Sequence, residues 1–198
     1  MSEQEKIKAE TDQALMSCFQ EGDPDAFSII FDRYASHIIN FSYRFLNNQQ
    51  ESEDIAQEVL LRVYKGKDRY DSSRPFRPWI FSIAARLLSN RRRDKKRHAE
   101  ESLDWQSENA DEGSQVRFQL EDKSSGVDPQ KVTEKNQLAL IVQKALKELP
   151  ENQRIAVILA RFEGMSYEDI AQSLDISVSA VKSLLFRARE TLKQSLSS

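Results

Sequence analysis

Lys182, Ser183, Phe186 and Arg187 bring two cations, a hydroxyl and an aromatic ring into about a turn and a half of helical spacing. Lysine and arginine can reach guanine edges or phosphates, and a ring can pack on a thymine methyl, so this set suits a DNA major groove. A second set is Trp79, Ser82, Arg86, Ser89, Asn90 and Arg93, with Arg74 in the stretch before it. It is basic and rich in hydroxyl and amide groups, with an aromatic at its head. Single-stranded or opening DNA fits it, because unstacked bases lie on rings while phosphates take arginine. In a third set, Asp54, Gln57, Glu58 and Leu61, acids and an amide surround an apolar side chain. That is the layout of a protein-docking patch with a central anchor.

Catalytic chemistry is not legible. His37 and His98 are the only histidines, and they have no Cys or carboxylate at metal-ligand spacing. Neither a glycine-rich phosphate loop nor a nucleophile elbow is present. The expectation is a protein that is not an enzyme and has no cofactor and no metal. The single cysteine, Cys18, cannot form an internal disulfide, and beside Leu15 and Phe19 it reads as a small buried side chain in a reducing compartment. The first residues lack the apolar core of a signal peptide, and no apolar run approaches the length that spans a bilayer. A cytoplasmic protein without membrane insertion is expected. The net charge of -3 argues against coating nucleic acid indiscriminately, so any such contact must be local.

The elements that position these residues are helices. With only five Gly and five Pro among long stretches of helix formers, the chain reads as all-α. Phe27, Ile30, Phe31, Tyr34, Ile38, Phe41 and Phe45 recur at steps of three and four as the core face of one long helix, capped by Asp23 and Pro24. Ile55, Ala56, Val59, Leu60 and Val63 are the core side of the next, which leaves Asp54, Gln57, Glu58 and Leu61 opposite. A loop closed by Pro75 and Pro78 precedes a helix that buries Ile80, Ile83, Ala84, Leu87 and Leu88 and turns Ser82, Arg86, Ser89, Asn90 and Arg93 the other way. Trp79 has two readings, completion of the core and stacking on a base. The run from Arg91 to Arg97 can be a solvated helix end, but so many adjacent like charges favour phosphate contact.

Acids and small residues then take over with no sustained apolar period, so 99–133 reads as a flexible acidic linker between a first domain, 1–98, and a second, 134–198. In the second, Leu138, Ile141, Val142, Ala145 and Leu149 form a core stripe ended by Pro150. Ser166, Glu168 and Asp169 start a helix, and a short turn at Asp175, Ile176 and Ser177 leads into another, which makes a helix-turn-helix by spacing. At about 100° per residue, Val181, Leu185, Ala188 and Leu192 face inward. Ser183, Phe186 and Glu190 face out, flanked by Lys182, Arg187 and Lys193. An aromatic on a solvated strip is unnecessary for folding and points to a partner.

The stretch from Leu149 to Lys193, with Leu149-Pro150, Arg154, Glu163-Gly164, Ser166-Tyr167, Ile170-Ala171, Val181-Lys182-Ser183 and Arg187-Ala188-Arg189, resembles the fourth conserved region of bacterial RNA polymerase sigma factors. Glu51 to Lys65 and Phe76, Pro78-Trp79, Ile83-Ala84 and the Arg-rich tail resemble the second region, and the whole is similar to the extracytoplasmic-function (ECF) subfamily. The resemblance implies partners: promoter DNA and core RNA polymerase, gripped at the β′ clamp helices by Asp54, Gln57, Glu58 and Leu61 and at the β flap by the second domain. It implies that Lys182, Ser183, Phe186 and Arg187 read the minus-thirty-five element, and that the loop and helix from Arg74 to Arg93 read and melt the minus-ten element. An anti-sigma partner is a further family expectation. Two positions depart from the pattern: Leu184, where the family very often has Arg, and Arg86, where many small sigma factors have Asn. The alternative is an autonomous helix-turn-helix regulator, which leaves the acidic docking face and the basic strip without a purpose.

Overall fold

The computed structural model describes residues 11–103 and 129–196. Among the described residues there are eight α-helices, a single 3-10 turn and no strand. Helices α1 (Asp12–Glu21), α2 (Pro24–Leu46), α3 (Gln49–Lys65) and α4 (Phe76–Leu103) make the first half, with the 3-10 turn at Lys67–Arg69. Helices α5 (Pro129–Glu148), α6 (Glu151–Arg161), α7 (Tyr167–Leu174) and α8 (Val178–Leu196) make the second. Most of the sequence expected as a linker lies outside the described residues. Its two ends are helical, because α4 runs on to Leu103 and α5 starts at Pro129.

The corners are set by local chemistry. At Gly22, φ is +111°, a left-handed conformation that lets its N–H reach back to the Phe19 carbonyl while Asp23 N–H donates to Cys18 O. The Asp23 side chain then accepts from Asp25 N–H at 2.9 Å, and Pro24 takes the first helical position. Between α2 and α3 the turn is only Asn47, at φ +57°, and Asn48, whose side chain accepts from Glu51 N–H at 3.0 Å. So short a connection forces the two helices to pack antiparallel.

Aromatic and aliphatic side chains from all four helices fill the first half. Phe41 and Phe81 meet edge to face at 5.4 Å, Tyr34 and Phe76 at 5.2 Å, and Leu15, Met16, Ile30, Ile38, Val59 and Val63 are fully buried around them. Ile155, Ile158, Leu159, Ile170, Val181 and Ala188 close the core of the second half. The buried residues of both halves form one connected cluster.

Three residues expected in the core stand outside it. Phe31 is 45% exposed, and Leu138 and Ile141 are 61% and 52% exposed. Periodicity correctly assigns them to apolar stripes, but among the described residues the packed elements cover only part of each stripe. Cys18 is half-buried against the core.

Candidate nucleic-acid and docking surfaces

The helix-turn-helix is built from side-chain caps at both of its starts. Ser166 Oγ accepts from Asp169 N–H at 3.0 Å to begin α7, and Ser177 Oγ accepts from Ala180 N–H at 3.1 Å to begin α8. Between them Asp175 adopts φ +54°, and Ile176 N–H returns to Ala171 O, which fixes the angle between the helices. On α8, Val181 and Ala188 are fully buried and Leu185 and Leu192 half-buried. Lys182, Ser183, Phe186 and Arg187 therefore share the outer face, and Phe186 is 65% exposed. Arg187 Nε donates to Ser183 O at 3.3 Å and Ser183 Oγ donates to Ser179 O at 3.0 Å, so both side chains lean on their own helix. Leu184 is half-buried at the edge of this face.

The strip on α4 is less uniform. Trp79 is half-buried, its ring tilted against Tyr70 at 4.9 Å and 5.7 Å from Phe76, so it completes an aromatic cluster and stays partly exposed. Ser82, expected to face outward, is buried, and its hydroxyl donates to Trp79 O at 2.7 Å. A serine can turn back on its own backbone where a longer polar side chain could not. Arg86, Asn90 and Arg93 are exposed and Ser89 is half-buried, with Arg93 donating to Asn90 Oδ1. In the preceding loop Arg74 lies 3.4 Å from Asp71, whose carboxyl is held below its ordinary range first by hydrogen bonds from Ser73. Tyr70 is pushed up to about 12 by burial, then by the charges of Asp12 and Asp71, and its hydroxyl donates to Arg74 O.

The basic end of α4 is partly neutralised within the molecule. Lys95 Nζ is 2.6 Å from Glu51, and Arg91 is 3.9 Å from both Glu51 and Asp54. Repulsion along the run is thus relieved by acids of α3, which the sequence argument for phosphate contact left out.

Asp54, Gln57 and Leu61 stand exposed on α3 beside half-buried Glu58, which pairs with Arg62 at 2.7 Å. Leu61 is 44% exposed. Tyr64, 52% exposed and missed by the sequence argument, continues the apolar part of α3. It is held by ring contacts of 5.2 Å to Phe19 and to Phe27. The signal was available, since Tyr64 follows Leu61 by three residues and therefore lies on nearly the same side of the helix.

Several further residues join the halves. Glu163, its side chain 2% exposed, accepts from His37 Nδ1 at 2.9 Å, and Arg77 donates to both its backbone carbonyl and its carboxylate. Arg154 donates to Phe45 O at 3.1 Å and to Lys147 O and Leu149 O, bridging the ends of α2 and α5, and burial pushes its pKa down to about 10. The α4 strip and the helix-turn-helix face each other across a cleft of about 580 Å³. Among the described residues no three His, Cys, Asp or Glu side chains group as metal ligands, and no helix is long and apolar enough to cross a membrane.

Comparison with known proteins gives matches along most of the chain. Residues 30–98 match the family described as Sigma-70 region 2, and residues 139–192 match Sigma-70, region 4. The chain is 31% identical to the RNA polymerase sigma-H factor of Pseudomonas aeruginosa, covering 96% of each chain. It is 34% identical to the ECF RNA polymerase sigma factor SigW of Bacillus subtilis, covering 89% of this chain and 92% of that one. Among solved structures, CnrH in complex with the cytosolic domain of CnrY superposes with a TM-score of 0.68 at 21% identity, covering 95% of this chain and 98% of CnrH. The sigma factor RpoE of Bartonella quintana, in complex with the anti-sigma factor NepR, gives 0.63 at 23% identity, covering 86% and 96%. These two likenesses are of fold.

Proposed function

The chain belongs to the sigma-70 family of RNA polymerase sigma factors, in the ECF branch, and from that premise we propose how its surfaces are used. It is a sigma factor that directs RNA polymerase to promoters. Lys182, Ser183, Phe186 and Arg187 enter the major groove at the minus-thirty-five element, with the ring on a base edge and the cations on guanine or phosphate. Trp79, Arg86, Ser89, Asn90 and Arg93, with Arg74 from the loop, take the minus-ten element as it opens, and the exposed part of Trp79 is where an unstacked base would rest. Ser82 positions Trp79 by holding its carbonyl and does not touch DNA. Asp54, Gln57, Glu58 and Leu61 dock on the β′ clamp helices, and the second half grips the β flap.

The observation that carries this reading is Phe186. A ring 65% exposed between a lysine and an arginine, on a helix whose opposite side is locked in a core, has no role in folding. The division 1–98, 99–133 and 134–198 belongs to the same proposal, in which the two domains bind separate elements. A sigma factor is not an enzyme by family, and we place this one in the cytoplasm, without a cofactor or membrane insertion. The fold shared with a sigma factor solved on an anti-sigma factor supports a partner of that kind here as well. The test is transcription by core polymerase with the purified chain added. Initiation at a discrete set of promoters that core alone ignores is the expected result, and none above core alone contradicts it.

A further inference from the structure

We propose that Gln20, in the last turn of α1, is a positioning residue for the minus-ten element: it holds the loop that carries Arg74 in the place from which that loop meets opening DNA. The inference rests on the minus-ten role proposed above for this loop and for Trp79. Gln20 Nε2 donates to Lys67 O at 2.8 Å and to Tyr70 O at 2.9 Å, so both hydrogens of one amide are used on the backbone at the two ends of a single turn. The turn reciprocates. Lys67 Nζ donates to Phe19 O at 3.0 Å and lies 4.9 Å from the centre of the Phe19 ring, so α1 and the turn are bonded in both directions.

What the amide holds is the base of the loop. Tyr70 is 5% exposed and its hydroxyl donates to Arg74 O, while Arg74 N–H donates to Asp71 O at 3.0 Å. Ser73 closes the turn by donating from N–H and Oγ to Asp71 Oδ1 at 3.0 and 2.7 Å. Residues 71–75 are all exposed, and these bonds brace them on Tyr70. The Tyr70 ring also supports Trp79 at 4.9 Å and meets Phe76 edge to face at 5.5 Å. Moving Tyr70 therefore displaces Arg74 and Trp79 together. The other end of α1 is anchored to α2, because Asp12 accepts from Tyr34 OH at 2.5 Å and from Arg33 at 2.7 Å. A few exposed side chains discriminate between ligands only when their support is fixed. Folding does not depend on the half-buried Gln20, since α1 is already held by buried Leu15, Met16 and Phe19.

The experiment compares the full-length chain with its Gln20→Met variant, which keeps the length of the side chain and removes both donors. In the free chain, hydrogen exchange over 67–74 should quicken about tenfold or more, with exchange in α2 and α3 unchanged. With core polymerase added, transcription from single-base minus-ten variants should show the preference between best and worst base falling about threefold or more. Preference across a minus-thirty-five panel, and affinity for core polymerase, should stay as in the wild type. A merely structural brace would move the melting temperature and leave the minus-ten preference alone. Circular dichroism checks that the helices persist. If they do not, Lys67→Met, which removes the bond to Phe19 O, takes the place of Gln20→Met with the same expectations. Unchanged exchange in the loop, or faster exchange with minus-ten preference intact, overturns the proposal. Arg74→Ala, run beside it, separates this from failure of the minus-ten reading. If Arg74→Ala alters minus-ten selection and Gln20→Met does not, the positioning role alone falls; if neither does, the reading falls and the positioning role with it.

Discussion

Two helices carry the candidate DNA contacts, and they present them differently. On α8 the four side chains stand on one exposed face, and Ser183 and Arg187 lean on their own backbone. On α4 the strip is shared out: Trp79 into an aromatic cluster, Ser82 into the backbone, and Arg91 and Lys95 onto acids of α3. The difference follows from what lies beside each helix. The outer face of α8 is left uncovered, so angular position alone decides exposure. Helix α4 is flanked by α3, by the aromatic loop and by α7, so its outward residues have neighbours that helical angles do not reveal.

That contrast predicts opposite consequences for two aromatics. Trp79→Ala should cost about 3 kcal/mol of stability, the low end for losing a large core ring because it is partly exposed. Phe186→Ala should stay within about 0.5 kcal/mol. Denaturant unfolding of both variants checks this, and equal losses would erase the distinction between the helices. The docking face should behave like the α8 face: Asp54→Ala with Leu61→Ala should weaken core polymerase binding by about 1 to 2 kcal/mol without lowering the melting temperature. A pull-down titration with unchanged affinity would remove that face from the docking role.

The aromatic loop beside α4 supplies a pH test. Because Tyr70 titrates near 12 in the folded chain and near 10 when unfolded, the native state holds its proton longer. Its contribution is complete below about pH 10 and lost as pH rises toward 12. Thermal melts across that window should show a decline that Tyr70→Phe reduces. Small as well, Lys95→Ala should cost about 0.2 to 1 kcal/mol, since Lys95 itself is well exposed. A salt titration should shrink that cost further.

Much of this was legible in the residues. Asp23 with Pro24, and Ser166 with Asp169, marked helix starts that the structure reproduces as caps, and the 100° rule placed Val181 and Ala188 inside and Phe186 outside. Phe31, Leu138 and Ile141 were misplaced because a periodic stripe says which residues share a face, not how far another element covers it. The pairing of Glu163 with His37 joins positions 126 residues apart, and no local spacing encodes it. Arg154 and Glu163 stood out only as motif residues, with nothing in the sequence to say that they would meet α2 and α4.

The central claim, that α8 reads the upstream promoter element, is tested most directly by transcription from a panel of single-base minus-thirty-five variants at two salt concentrations. Arg187→Ala should cost about 1 to 3 kcal/mol, confined to one base pair if it contacts guanine. If it contacts phosphate, the loss should be even across the panel and the salt dependence should flatten. Phe186→Ala should relax preference at one position and leave the salt slope unchanged. Promoter selection untouched by both substitutions, in variants that remain folded, would contradict the account.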